Sequence, residues 1–245
     1  MPAWLASYGL LLRWSVLQRR MMLPMMLAIQ VVMSAGIVVG FAFLIPEIDA
    51  DSAAYLSIGA VTISLIVTGL VLAPNTLSEQ KQNGVFDFQR SMPVPRLAML
   101  LAEATVWVVL AVPGVLAGLA VAALRFDLEF QVSPLAGPAV LLVALTCTTL
   151  GYAVAYALPP MVTLVVSQML VFFVLMFSPI NFPAERLPGW FAAVHDILPF
   201  AYMAQSLRDT ILVPADGVSA TPFVVLTLWC LGGFVLAYGV MIRRS

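Results

Sequence analysis

Charge is scarce in this sequence, histidine and lysine are scarcer, and each shortage closes off a class of protein. Of 245 residues 9% are charged and 62% hydrophobic, where soluble domains carry about a quarter charged residues. A water-soluble domain of this length could not hide so much apolar surface. The one histidine, His195, and the two cysteines, Cys147 and Cys230, are scattered along the chain. Zinc sites take clustered His and Cys ligands, so no metal centre is expected. A catalytic Ser or Cys needs a base within hydrogen-bond reach, and neither a GxSxG elbow nor an HExxH helix occurs. His195, beside Asp196, therefore reads as structural or as lying at a lipid interface, with an intramembrane enzyme built on it as the contrary reading. Lys81, the single lysine, sits in QKQNG rather than in GxxxxGK followed by Ser or Thr, so the chain does not bind ATP by that motif. The cysteines fall inside apolar runs and read as small packing residues, not as a disulfide framework. No internal repeat or low-complexity tract is present.

What the sequence does have is long apolar runs. About 20 helical residues cross about 30 Å of hydrocarbon, and six runs reach or approach that length: 22–45, 55–77, 97–124, 135–158, 161–180 and 222–242. None shows the ten-residue, period-two alternation of barrel strands. The expected fold is an all-α integral membrane domain of six spans. Arg13, Arg19 and Arg20 ahead of the first run resemble the start of a signal peptide, but that run is about 24 residues long and lacks a convincing cleavage site, so a retained span is expected.

The cations sort by loop. Arg13, Arg19, Arg20, Lys81, Arg90, Arg96, Arg243 and Arg244 fall on one side of a six-span arrangement, and Arg125, Arg186 and Arg208 on the other. By the positive-inside rule both termini are cytoplasmic. The acids Glu47, Asp49, Asp51, Asp127, Glu129, Glu185, Asp196, Asp209 and Asp216 fall on the outer side, and the clusters Glu47, Asp49, Asp51 and Asp127, Glu129 read as solvated loop charges.

Three segments outside the spans are patterned. Within residues 1–20, Trp4, Leu5, Tyr8, Leu11 and Leu12 share a helical face followed by arginines, as in a helix lying on the membrane surface. Residues 78–96 form the loop after span 2. Residues 181–221 are too apolar for a disordered loop; Leu187, Trp190, Phe191, Val194, Ile197 and Leu198 recur at helical spacing, Pro199 ends that run, and a second helical stretch covers 201–212. This is the pattern of an outer helical hairpin that dips into or caps the outer leaflet.

Inside the spans, Glu103 is the clear acid. It reaches the interface, or pairs with Arg96, or binds a coupling ion as in a secondary transporter. Ser57, Ser64, Thr68 and Asn75 share one face of span 2, and Thr149, Tyr152 and Tyr156 one face of span 4; such stripes serve helix packing or a substrate path. Met169, Phe172, Phe173, Met176 and Phe177 form a thioether and aromatic face on span 5, suited to lipid, packing or an apolar substrate. Gly36xxxGly40 and Gly114xxxGly118 permit close helix approach, and Pro113 is expected to kink span 3.

Together these residues resemble the permease subunits of ATP-binding cassette exporters of the ABC-2 type, and the resemblance covers nearly the whole chain. Its first part is SEQKQNGVFDFQRSMPVPR: Gly84, Phe86, Asp87 and Pro93 fit the family's loop after span 2, while Gln82, Val85 and Gln89 depart from it. Its second part is FSPINFPAERLPGWFAAVHDILPFAYMAQSLRD, where Pro179 with Pro183, Pro188 with Trp190, Pro199 and Arg208 match the family's outer hairpin. The third is the architecture: a basic amphipathic N-terminus, six spans, short outer loops and a basic C-terminus.

The resemblance implies a permease without its own ATPase, in a bacterial cytoplasmic membrane, paired with a second permease chain, identical or related. ATP and Mg would be bound by a separate ATPase subunit, and no cofactor by this chain. The ATPase would grip a coupling helix carrying Gln82, Gly84, Val85, Phe86, Asp87, Phe88, Arg90 and Pro93, with Val85, Phe86 and Phe88 as the apolar contact and Lys81, Asp87 and Arg90 at the rim. Ser57, Ser64, Thr68, Asn75, Met169, Phe172, Phe173 and Met176 would line the substrate path; Pro179, Pro183, Pro188, Trp190, Pro199 and Arg208 would form the outer gate. The implied cargo is an amphiphile exported from the cell, a drug as in fluoroquinolone- or daunorubicin-type efflux, or else a lipid or lipid-linked glycan.

Overall fold

Breaks in the chain fall where proline, glycine or a capping carboxylate interrupts otherwise continuous apolar helix. The structure, a computed structural model, describes residues 2–44, 49–182, 188–212 and 217–243. Within them α1 (Pro2–Arg19) precedes the first span, α2 (Leu23–Leu44). Span 2 is compound: α3 (Ala50–Val67), a π-helical turn (Thr68–Leu72) and α4 (Ala73–Gln82). The Asp49 carboxylate caps α3 by accepting from the Ser52 N–H at 3.0 Å.

Gly84 then adopts a left-handed φ of 71°, which separates α4 from the short α5 (Val85–Ser91). The remaining elements are α6 (Arg96–Phe126), α7 (Ala136–Ala157), α8 (Pro160–Phe177), α9 (Gly189–His195), α10 (Pro199–Ile211) and α11 (Thr221–Arg243). No strand occurs among the described residues. Pro159 and Pro160 divide α7 from α8, and α6 continues as helix through Pro113.

Among the described residues six helices are long and apolar enough to cross a membrane: α2, the compound span 2, α6, α7, α8 and α11. Span 2 runs without interruption to Gln82, five residues past the end its hydropathy suggests, because its breaker is the Asn83-Gly84 pair. It is also the central element: 89% of its apolar window is buried, against 17% for α11 and 22% for α2 and α8. The α6, α7, α8 and α2 helices all pack on it.

Close approach around that centre depends on small residues. A Cβ on Gly151 of α7 would strike the carbonyl oxygen of Gly69 in the π turn, and one on Gly69 would strike Cys147. The π geometry thus brings the backbone of span 2 against that of α7, aided by the Gln30 amide of α2, which donates to Thr68 Oγ1. Gly114 and Gly118 of α6 face Gln30 and Ser34 of α2, so this pair does mediate helix packing. Gly36 and Gly40 face open space and do not. Between α8 and α11 lie two short helices, α9 and α10, as the helical periodicity there implies.

Candidate functional site

Candidate functional side chains gather at the two ends of the bundle. At the end carrying α1 and α5, Lys81 turns inward: its ammonium donates to the carbonyl of Ala155 and, at 3.4 Å, to that of Leu158, at the C-terminus of α7. A cation there satisfies orphan carbonyls and the negative end of the helix dipole. Lys81 also lies 5.7 Å from the Phe86 ring and 5.9 Å from that of Tyr156, and those rings are 5.7 Å apart. Phe86 is 7% exposed. Phe86 and Lys81, expected as grip and rim of a partner contact, here tie α5 to α7.

The outward surface of α5 is made by Asp87 and Phe88, with Gln82 and Gly84 before it and Pro93 after it, all exposed. Val85 is half-buried, and Arg90 falls within α5. Phe88 is 57% exposed and sits 6.2 Å from Trp14 of α1. A cleft of about 330 Å³ opens beside it, lined by Lys81, Phe86, Asp87, Tyr156 and Pro160.

Deeper on the same side lies a buried polar cluster. The Glu103 carboxylate on α6 accepts from Arg19 Nη2 at 2.5 Å and Nη1 at 3.3 Å, from Ser15 Oγ at 2.6 Å, and from the Tyr152 hydroxyl at 3.1 Å. Trp107 Nε1 donates to that hydroxyl at 2.8 Å. Side-chain exposures of 5% and 7% show that Arg19 and Glu103 are both out of water. The expected partner of Glu103, Arg96, instead donates to the Met241 carbonyl at 3.3 Å. Consequently Trp4, Tyr8, Leu11, Ser15 and Arg19 form the face by which α1 docks on α6, and Leu5 points away. The sequence marked Glu103 as needing a partner but not which of several nearby arginines supplies it.

The polar stripe of span 2 does not form an open path within the chain. Ser57, Ser64 and Thr68 are buried and donate to the helix carbonyls of Ala53, Val61 and Ser64 at 2.7, 2.8 and 2.6 Å. Asn75 is half-buried. By contrast Met169, Phe172, Phe173 and Met176 point outward from α8. The two groups of residues thus lie on different surfaces, because span 2 is enclosed by its neighbours and α8 is attached mainly through α4.

At the opposite end Arg208 of α10 binds two spans at once. Its guanidinium donates to the Ile180 carbonyl just beyond α8 and stacks 3.4 Å over the Tyr55 ring of span 2. Burial lowers its pKa to about 10, opposed by Tyr55 and Asp209, so it stays charged at neutral pH. The Tyr55 hydroxyl donates to the Phe182 carbonyl at 3.3 Å, and Gly59 leaves room for the Ile180 carbonyl. Pro179 and Pro199 are buried at this junction, while Pro188 and Trp190 are exposed. Pro183 lies outside the described residues. His195 is buried, with its ring stacked 6.5 Å from Phe173.

The family model described as ABC-2 type transporter matches residues 8–212, from the middle of α1 to the end of α10. No curated protein matches the chain.

Proposed function

The chain belongs to the ABC-2 type transporter family, and from that membership we propose that it is the permease of an ATP-driven exporter of hydrophobic or amphiphilic molecules. Its transmembrane domain would be paired with a second permease chain. A separate ATPase subunit would supply the energy from the cytoplasmic side, where both termini lie. ATP and Mg would be held by that subunit.

The observation that carries this reading is the construction of the α5 end. Its outer edge, Asp87 and Phe88, is exposed and in contact with α1 through Trp14. Its inner edge is wired to α7 through Phe86, Lys81 and Tyr156. A push on α5 would therefore reach α7 directly, and through α1 the Arg19–Glu103–Tyr152 cluster would carry it to α6 and α7. Apolar residues at the centre of an interface with charge at the rim suit a protein partner.

Two features support an ATP-driven amphiphile exporter over an ion-coupled carrier. Glu103 is held by Arg19, Ser15 and Tyr152, which leaves it poorly disposed to bind a coupling ion. A groove of about 480 Å³ between α7, α10 and α11, lined by Leu70, Leu150, Phe200, Trp229 and Val240, offers apolar surface at membrane depth. A drug of the fluoroquinolone or daunorubicin type fits this chemistry, as does a lipid or lipid-linked glycan.

The test is co-purification with a separate ATPase subunit, which is expected to be encoded in an adjacent reading frame. Phe88→Asp is expected to weaken that complex while leaving the permease folded; an unaffected complex would remove α5 from the docking surface. Ion-gradient-driven transport by the purified chain without an ATPase would overturn the reading itself.

A further inference from the structure

The apolar groove along α7 and α11 adjoins the cleft beside α5, because Leu158 and Val240 line both. It exists because α8 and α11 each pack on α7 without packing closely on one another. Ala153 and Ala157, one turn apart on α7, give it a low floor. Its far end is closed by Leu198, Pro199 and Phe200 at the start of α10, a corner held where the Trp229 indole N–H donates to the Ile197 carbonyl at 2.9 Å. From Trp229 to Val240, at 1.5 Å rise per residue, the groove covers about 16 Å. One leaflet of a hydrocarbon core about 30 Å thick is about 15 Å deep.

The chemistry of the two parts divides at the same place. Every side chain lining the groove is apolar, and the indole N–H of Trp229 is already engaged. A hydrocarbon chain loses nothing on entering such a space, whereas a polar group would give up water and find no partner. The mouth, by contrast, carries Lys81 and the exposed carboxylate of Asp87. The carbonyls of Ala155 and Leu158 that hold Lys81 are themselves uncharged, so they leave its positive charge in place. Arg96 reaches the same wall by donating to the Met241 carbonyl. An apolar slot one leaflet deep, opening onto cations and a carboxylate, has the shape and charge pattern of a zwitterionic lipid.

We propose that this is a binding site for a phosphatidylethanolamine of the leaflet at the α5 end. One acyl chain lies in the groove against Ala153 and Ala157 and ends below the Leu198–Phe200 corner. The headgroup lies at the mouth, its phosphate toward Lys81 and its ammonium toward Asp87, where each charge meets its opposite. The inference rests on the exporter reading for one point, that this leaflet is the cytoplasmic one, and it gives the groove an occupant that needs no ATPase.

The experiment is photocrosslinking of the full chain in nanodiscs of equimolar phosphatidylethanolamine and phosphatidylglycerol, doped with a phosphatidylethanolamine that carries a diazirine midway along one acyl chain. Adducts are expected to concentrate on peptides covering 150–158 and 229–240. Labelling spread evenly over the outward faces of α2, α8 and α11 would overturn the site, and this result needs no variant to fold. Native mass spectrometry of the detergent-extracted chain is expected to show one retained phospholipid, with phosphatidylethanolamine in excess; no retained lipid, or an excess of phosphatidylglycerol, would overturn the proposal. Ala153→Phe places a ring where the acyl chain lies and is expected to lower occupancy about tenfold, while Leu228→Phe, on the exposed face of α11 outside the groove, should leave it unchanged. Undiminished lipid in a folded Ala153→Phe chain would refute the placement. Asp87→Asn should bring retention of the two lipids to parity, and an unaltered preference would remove the headgroup assignment. Co-purification with an ATPase subunit is measured in parallel. Its absence alongside localised adducts removes the exporter reading alone, and its presence alongside dispersed adducts removes the lipid site alone.

Discussion

Replacing Glu103 with leucine should be among the most damaging single changes available in this chain. The substitution removes the acceptor for Arg19, Ser15 and Tyr152 together. Its main consequence is a guanidinium held out of water with no counter-charge, since the Arg19 side chain is only 5% exposed. Breaking a buried pair in this way costs about 3–5 kcal/mol. For a chain of this size each kcal/mol moves the midpoint by about 2–4 °C, so Tm should fall by about 6–20 °C. Arg19→Met should cost a similar amount, because it strands the carboxylate. The double variant Arg19→Met, Glu103→Leu should recover most of the loss, since an apolar pair of similar volume can replace a buried ion pair at little cost. The assay is thermal unfolding of the detergent-solubilised protein followed by size-exclusion chromatography. Additive losses in the double variant, or an unchanged Tm in either single one, would refute the assignment of this pair as the tether of α1.

Other outcomes follow from single contacts. Gly151→Ala should prevent the approach of α7 to the π turn, costing about 1–3 kcal/mol or more as an overpacked contact, while Gly36→Ala, with open space around it, should leave the melting temperature unchanged; expression and Tm of the two variants compare them. Lys81→Met should release the C-terminus of α7 and the inner edge of α5, and limited proteolysis should then cut the 82–95 segment faster than in the parent. Arg208→Gln should loosen α10 from Tyr55 and Ile180, read as increased labelling of a cysteine introduced at Tyr202, with no change in ATPase co-purification.

Much of this protein was written in local pattern. Spans could be read from apolar run length because the bilayer demands about 20 such residues in helical form. The helical nature of α9 and α10 followed from periodicity and flanking prolines. The loop after span 2 was legible as a patterned segment, but which of its faces turns outward was not. Whether Phe86 or Phe88 faces outward depends on the rotation of α5, which the Lys81 cap and the Tyr156 ring determine from α7, about 70 residues away in the chain.

The polar side chains divide in the same way. Sequence alone determined that Glu103 required compensation, since no carboxylate is left bare inside a membrane. Tertiary structure chose Arg19 over Arg96, because docking of α1 along α6 brings Arg19 and Ser15 to the carboxylate while Arg96 is drawn to the end of α11. Likewise the stripe Ser57, Ser64 and Thr68 is a fact of sequence, but its burial follows from the central position of span 2. Helix type and length are short-range properties of a chain in lipid. Which faces meet is a property of all six spans packed together.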